Sequence, residues 1–280
     1  MMGDGFEFAL GPPSSGFSMF LADRTTKVHF ISVSEGMHNV AVRRTLESKE
    51  EEEEEGDAEE HNRVRRPRSG SSAEGFLLRK PDELPSDHPL HDARLTRRGL
   101  KQARTLRTML SSRPSGGRPF TAFDLVVVSP LTRACETARA VFGSSPGSMG
   151  GIELPSPRIL VREDCRERYG RYVCDGRRSV AELRDEFPSF DFDEMMGESD
   201  ADELQSDERE TSIECRERAL RLLEWLSGRP QKCVAVVTHS EFLRHLFGQF
   251  GDNLRDEDRS CLQRTTGNCE LRSVVLCSHG

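Results

Sequence analysis

The sequence has little of what membrane proteins and nucleic-acid-binding proteins require. None of its apolar runs approaches the roughly 18 residues of a membrane-spanning helix. Met1 to Asp23 show no basic start followed by an apolar core, as a secretory signal would. The formal net charge is −8, whereas nucleic-acid binding requires a basic surface. We therefore expect no nucleic-acid partner and no membrane partner, and a location in the cytoplasm or, as the alternative, in the nucleus.

Closely spaced cysteine pairs are also missing. Zinc sites use such pairs, but the eight cysteines of this chain show no C-x-x-C spacing. Disulfides are rare in cytoplasmic proteins. We therefore expect reduced thiols, without disulfides and without a metal site. The cysteines are Cys135, Cys165, Cys174, Cys215, Cys233, Cys261, Cys269 and Cys277.

A hydrophobic share of only 35% indicates that part of the chain does not join a packed core. Glu47 to Glu60 is almost wholly acidic, and it is followed by the basic cluster Arg63 to Arg68 and by Ser69 to Ser72. Such a segment repels itself and buries nothing, which predicts disorder. We expect an N-terminal tail at residues 1–23 and one domain at residues 24–280. A disordered acidic and basic insertion at about residues 43–87 would interrupt this domain.

Apolar runs typical of strands and helices alternate along the rest of the chain. Leu125–Val128 is a continuous apolar run, which is typical of a strand covered on both faces. The alternation predicts an α/β fold with three layers (α/β/α) and a mostly parallel central sheet. The predicted strands are Val28–Ser32, Leu125–Val128, Ile159–Val161, Cys233–Val237 and Ser273–Leu276. The predicted helices are Leu95–Leu110 with Thr96 as N-cap, Thr132–Phe142, Ile213–Leu226 and Phe242–Phe247.

Charged or titratable side chains follow two of these strands, where open α/β sheets bind their ligands. Arg133 stands in the first turn of the helix after Leu125–Val128, so its guanidinium combines with free backbone N–H groups. His239 follows Cys233–Val237 and can donate to an anion. The pair predicts a phosphate site that binds more tightly below about pH 6.5, where a histidine with an ordinary pKa is cationic.

Several short motifs are spread from about Lys27 to Cys277. They are Glu35-Gly36-x-His38-Asn39, Asp92-Ala93-x-Leu95-Thr96-x-x-Gly99, Ser129-Pro130-Leu131-x-Arg133-x-x-x-Thr137, Arg166-Glu167-x-x-Gly170, Cys174-Asp175-x-Arg177-Arg178-Ser179, Val237-Thr238-His239-Ser240 and Asn268-Cys269-Glu270-Leu271-Arg272-Ser273. Together they resemble the histidine phosphatase superfamily, also called phosphoglycerate-mutase-like. Within it, the chain is most similar to the eukaryotic phosphoglycerate-mutase-like branch.

The resemblance implies phosphomonoester hydrolysis through a phosphohistidine, with no metal and no organic cofactor. In the family, one histidine attacks phosphorus, two arginines and a second histidine bind the phosphoryl oxygens, and a carboxylic acid protonates the leaving group. For this chain it implies that Arg133, His239 and Asn39 bind phosphate. It also implies that His239 and Glu167 act in catalysis, with Glu163 as the alternative acid. The partner would be a phosphorylated small molecule or a phosphoprotein.

The first motif departs from the family at the residues that carry the chemistry. The family has Arg-His at the end of the first strand, with an asparagine six residues after the histidine. Counting back from Asn39 places Ser32 at the arginine position and Val33 at the position of the nucleophile. Valine has no lone pair with which to attack phosphorus. Loss of the arginine also removes one of two bidentate phosphate anchors.

Five nearby side chains could replace the missing nucleophile. His29 lies four residues before Val33, about 13 Å away along a strand, and His38 is expected on the following loop or turn. Ser32 or Ser34 would need a placed general base, and His239 would have to change from binding the phosphoryl group to attacking it. We therefore expect a phosphate-binding pseudophosphatase. The alternatives are an active phosphomonoesterase with a non-standard nucleophile and a partner-binding scaffold that uses the acidic insertion.

Overall fold

A five-stranded sheet in the order β3-β2-β4-β1-β5 organises the chain. The computed structural model describes residues 24–45, 47, 77, 88–111, 123–143, 157–195, 200, 202, 204–252 and 254–277. The strands are β1 (Thr25–Ser32), β2 (Leu125–Val128), β3 (Ile159–Val161), β4 (Cys233–Thr238) and β5 (Leu271–Cys277). The pairs β1–β4, β2–β4 and β2–β3 are parallel, and β5 pairs antiparallel with β1. The sheet is mostly parallel, as the sequence predicts.

Helices cover both faces of this sheet. They are α1 (residues 37–45), α2 (Arg97–Ser111), α3 (Thr132–Phe142), α4 (Val180–Glu186), α5 (Ser212–Ser227), α6 (Ser240–Phe247) and α7 (Asp256–Gln263). On one face, Ala134 of α3 and Leu183 of α4 pack in a cluster with Ile31. On the other face, Leu222 of α5 and Phe242 of α6 pack in a second cluster that includes the β1 and β4 strands. The three-layer α/β/α prediction is therefore confirmed.

Polar side chains set the start of two long helices. The Thr96 Oγ1 accepts the Gly99 N–H at 2.9 Å, so Thr96 is the N-cap of α2 as predicted. At α5 the Thr211 hydroxyl accepts the Glu214 N–H, while the Glu214 carboxylate accepts the Thr211 N–H. This reciprocal pair satisfies two N–H groups at the end of the helix that would otherwise lack partners.

The segment after β1 differs from the prediction. His38, expected on a loop or turn, lies in helix α1. This helix continues through Arg43, whose guanidinium donates to the Glu35 carboxylate at 3.0 Å. Helix α1 thus reaches the predicted start of the insertion, at about residue 43. The tail at residues 1–23 and most of the predicted insertion lie outside the described residues, so their disorder stays a prediction.

In the described part of the chain, every helix is too short or too polar to cross a bilayer. Three or more His, Cys, Asp or Glu side chains also do not converge to hold a metal ion anywhere in the described ranges.

Candidate phosphate-binding site

The ends of three neighbouring strands meet at one edge of the sheet. The Val33 N–H, just beyond β1, donates to the Thr238 carbonyl of β4 at 2.8 Å. The Ser129 N–H, just beyond β2, donates to the Val237 carbonyl at 3.1 Å. Directly after β4, His239 Nε2 lies 2.8 Å from Ser129 Oγ. The structure therefore brings the vacant nucleophile position and the predicted phosphate-binding histidine to the same sheet edge.

Arg133 lies in the first turn of α3, with only 1% of its surface exposed. Its NH2 pairs with Asp175 Oδ1 at 2.9 Å, and its NH1 donates to the Cys174 carbonyl. Its Nε has no partner among the described residues. The guanidinium is thus held in a fixed orientation, and one carboxylate already balances its charge.

Asp92 fixes the start of the helix that carries Arg133. Its Oδ1 accepts the Thr132 N–H at 2.8 Å and its Oδ2 accepts the Thr132 hydroxyl at 2.5 Å. Asp92 adopts a left-handed backbone conformation, with φ of 45°, which asparagine and aspartate tolerate better than other residues with a Cβ. The Arg178 Nε also donates to Asp92, at 3.2 Å.

His239 is fully buried at the N-terminus of α6. Burial lowers its pKa well below the ordinary 6.5, and the positive charge of Arg133 and the neighbouring His38 lower it further. Its Nδ1 has no partner among the described residues, and the same holds for Nδ1 of His38. Burial and Arg133 also lower the pKa of His38 well below 6.5. Without an anion, both histidines are therefore neutral at pH 6.5, unlike the ordinary histidine that the sequence suggested.

The two candidate acids occupy different surroundings. The Glu167 Oε1 accepts the Phe242 N–H at 3.0 Å, at the N-terminus of α6. Burial and then Asp175 raise the pKa of Glu167 to about 7, and Arg133 opposes this shift. Glu163 instead pairs with two guanidinium groups, those of Arg166 at 3.1 Å and of Arg177. The structure thus places Glu167 in electrostatic contact with Arg133, while Glu163 is engaged in ion pairs.

The remaining residues singled out from the sequence have local roles. The Asn39 Oδ1 accepts the Gly36 N–H at 2.9 Å and closes the turn before α1. Ser32 is buried opposite Thr238 in the sheet, and Val33 packs in the hydrophobic cluster on the α3 face. His29 Nδ1 lies 2.7 Å from the Ser273 hydroxyl of β5. Burial and then Lys27 lower the pKa of His29 to about 4.

Three contacts of the site were not predicted from the sequence. Ser129 orients His239, Asp175 neutralises Arg133, and His38 faces the same charges from helix α1. Ser129 had a sequence signal, because it ends a buried strand as His239 does. Asp175 belongs to one of the short motifs, but its pairing with Arg133 could not be predicted, because the two residues are 42 positions apart in sequence.

A mostly parallel sheet with a buried arginine and histidine beyond its strand ends is an arrangement suited to binding phosphate. The family model "Histidine phosphatase superfamily (branch 1)" matches residues 88–280. The chain belongs to this superfamily. The matched range begins after β1 and so does not include Ser32 and Val33.

Curated relatives carry phosphoglycerate-mutase-like names. A "Phosphoglycerate mutase-like protein" of Arabidopsis thaliana is 28% identical and covers 95% of this chain and 90% of its own length. A "Phosphoglycerate mutase-like protein 1" of the same plant is 34% identical over 68% of this chain and 72% of its own length. Among solved structures, the α-ribazole phosphatase of Shigella flexneri is 17% identical, with a TM-score of 0.47 over 89% of each chain.

Proposed function

We propose that this chain binds phosphate groups at the sheet edge where Arg133, His239 and His38 lie, and that it does not hydrolyse phosphomonoesters. It would act as a pseudophosphatase of the histidine phosphatase superfamily. Its ligand would be a phosphorylated small molecule or a phosphoprotein.

One observation supports the proposal that the chain binds phosphate groups. Arg133 Nε, His239 Nδ1 and His38 Nδ1 are buried nitrogens without a hydrogen-bond partner among the described residues. These groups stand at the starts of α3, α6 and α1, just beyond the carboxyl ends of the neighbouring strands β2, β4 and β1, and the charge of Arg133 lowers the pKa of both histidines. Buried polar atoms in proteins nearly always have a partner. An anion between these nitrogens would supply one.

The tautomer of His239 supports the same role. If the Ser129 hydroxyl donates to Nε2, the ring proton is on Nδ1 and can be donated to a phosphoryl oxygen. Ser129 is buried and lies 2.8 Å from Nε2. It therefore serves as a positioning residue for the donor.

The absence of turnover rests on Ser32 and Val33. Neither residue offers a histidine nucleophile or a second guanidinium, and the remaining guanidinium of Arg133 already pairs with Asp175. A phosphoryl-transfer transition state requires fixed cationic donors. Among the described residues, the site of Arg133, His239 and His38 offers one such guanidinium, which is partly neutralised, so it supports weak anion binding better than catalysis.

The contact between Ser129 and His239 favours a second candidate, an active phosphomonoesterase with serine as nucleophile. His239 Nε2 would accept the hydroxyl proton as Oγ attacks phosphorus, and Glu167 would protonate the departing alcohol. The complete burial of Ser129 disfavours this route.

The test combines sulfate titration calorimetry with a p-nitrophenyl phosphate assay on the full chain. We expect sulfate binding without release of p-nitrophenol. Arg133→Ala should abolish the binding, whereas Arg139→Ala should not, because Arg139 is an exposed residue of the same helix that stacks on Phe187. Equal sulfate binding by Arg133→Ala would refute the site. Steady turnover with an acid-stable, alkali-labile phosphoenzyme would instead support the serine route.

A further inference from the structure

Helix α2 presents a row of cations to solvent. Arg97, Lys101 and Arg104 are all exposed and are spaced i, i+4 and i+7, so they lie on one face of the helix. We call these three residues the α2 cation row. The opposite face is buried through Gly99, Ala103, Leu106 and Leu110, and the helix contains no acidic residue.

The cations of the row have no ion-pair partner in the part of the chain that the structure describes. Among the described residues, no carboxylate lies within salt-bridge distance of Arg97, Lys101 or Arg104. Neighbouring arginines differ: Arg94 pairs with two glutamates, and Arg98 lies 3.7 Å from the Glu35 carboxylate. In a chain with a net charge of −8, three cations in a line that have no carboxylate partner among the described residues are suited to an acidic partner.

The row begins next to the segment that follows β1. The Thr96 N–H and hydroxyl donate to the Glu35 carbonyl and carboxylate at 2.9 and 2.8 Å, and Glu35 lies two residues after Val33. The contact is close, because a Cβ added at Gly99 would meet the Glu35 carbonyl oxygen at 2.2 Å. The start of α2 is thus fixed next to the segment that holds the vacant nucleophile position. With a rise of 1.5 Å per residue, the row then extends about 10 Å along the helix.

We propose that the ligand of the phosphate site is a phosphorylated segment of another protein, with acidic residues beside the phosphorylated one that lie on the α2 cation row. This inference rests on the proposed function and specifies its partner. An extended peptide advances about 3.3 Å per residue, so the row matches roughly three residues of such a segment. A small phosphorylated metabolite has no flanking residues to place along the row. A nucleic acid would be repelled by the rest of this acidic chain.

The test compares two phosphoserine peptides, one with neutral flanks and one with three glutamates on each side, by fluorescence anisotropy. At low salt we expect the acidic flanks to tighten binding by on the order of tenfold, because each exposed ion pair contributes modestly. The gain should largely disappear at 0.5 M salt. The triple variant Arg97→Glu, Lys101→Glu, Arg104→Glu should lose the gain while keeping sulfate binding.

The matched control is the triple variant Arg216→Glu, Arg221→Glu, Arg255→Glu. These residues are also exposed, and they belong to α5 and the start of α7. The net charge changes equally, so the control should keep the gain from the acidic flanks.

Three outcomes would overturn the proposal while sulfate binding persists. The first is equal affinity for both peptides, as would follow if the chain's own acidic run Glu47–Glu60 covered the row. The second is an equal loss in both triple variants. The third is tighter binding of a 5′-phosphorylated oligonucleotide than of the acidic peptide. If wild type bound neither sulfate nor either peptide, the proposed function itself would fail.

Discussion

Protonation of Glu167 should control anion binding at the candidate site. Its pKa is raised to about 7 by burial and by Asp175, so the carboxyl is neutral below pH 7 and negative above it. A negative charge beside Arg133 opposes a bound anion. We therefore predict that sulfate binds more tightly as the pH falls from 8 to 6.

The size of the effect follows from that pKa. If the ionised carboxylate excludes the anion, the apparent affinity falls by the factor 1 + 10^(pH − 7). This factor is about 1.1 at pH 6 and about 11 at pH 8, which corresponds to a loss of about 1.4 kcal/mol. His239 and His38 have pKa values well below 6.5 in the free protein. Their protonation therefore strengthens binding mainly well below pH 6.5, at a lower pH than the sequence alone predicted.

Sulfate is the appropriate probe because it stays dianionic throughout this range, whereas phosphate titrates near pH 7. Calorimetric titrations of wild type and Glu167→Gln with sulfate at pH 6, 7 and 8 give the dependence of sulfate affinity on pH for each protein. The variant should bind with nearly constant affinity between pH 6 and 8, since glutamine is neutral throughout. An unchanged tenfold slope in Glu167→Gln would refute the assignment, and a flat wild-type profile would refute the pKa argument.

Three further predictions concern contacts that hold the site in place and, as a comparison, the N-cap of α5. Arg133→Met should destabilise the fold by about 3–5 kcal/mol, because it leaves the buried Asp175 carboxylate unpaired; Arg133→Met combined with Asp175→Asn should recover much of that loss in urea unfolding without restoring sulfate binding. Asp92→Ala should reduce stability by about 1–3 kcal/mol, because the Thr132 N–H loses its acceptor, and should weaken sulfate binding in calorimetry by shifting α3. Thr211→Ala should lower the free energy of unfolding by about 1 kcal/mol through loss of the α5 N-cap, and sulfate affinity should stay unchanged.

The buried strands could be predicted because their signal is strong and local. Leu125–Val128 has the same bounds in the sequence prediction and in the structure. The antiparallel direction of β5 could not be predicted, because direction depends on which strand a segment pairs with and not on its composition. Helix α7 was also not predicted, since none of its residues is buried and an exposed helix leaves no apolar periodicity.

Some features of the candidate site could likewise be predicted from the sequence, and others could not. Arg133 and His239 could be found because each follows a buried strand, and the ends of parallel strands meet at one edge of a sheet. The shifted pKa values could not, because burial and the approach of Asp175 and Arg133 arise only in the folded chain. The same reason explains why Glu167 and Glu163 were not separated: their spacing in the sequence is short, and their different partners come from α6 and from Arg166 and Arg177.

The missing nucleophile is the central claim, and restoring it is the most direct test. The Val33 N–H donates to the carbonyl of Thr238, the residue before His239, so position 33 lies at the same edge of the sheet as the candidate phosphate site. We predict that Ser32→Arg with Val33→His gains p-nitrophenyl phosphate turnover and an acid-labile phosphoenzyme. Val33→His alone should recover less, because one guanidinium would still be missing. The two changes should be non-additive.

The deciding measurement is therefore acid-labile phosphoenzyme formation by wild type and by the double variant, using a ³²P-labelled aryl phosphate. The predicted result is no label on wild type, label on the double variant, and loss of that label when His239→Ala is added. Acid-labile label on wild type would contradict the claim, since it would show a phosphohistidine formed without a histidine at position 33. A folded double variant that remained unlabelled would also contradict it, by showing that the defect is not confined to Ser32 and Val33.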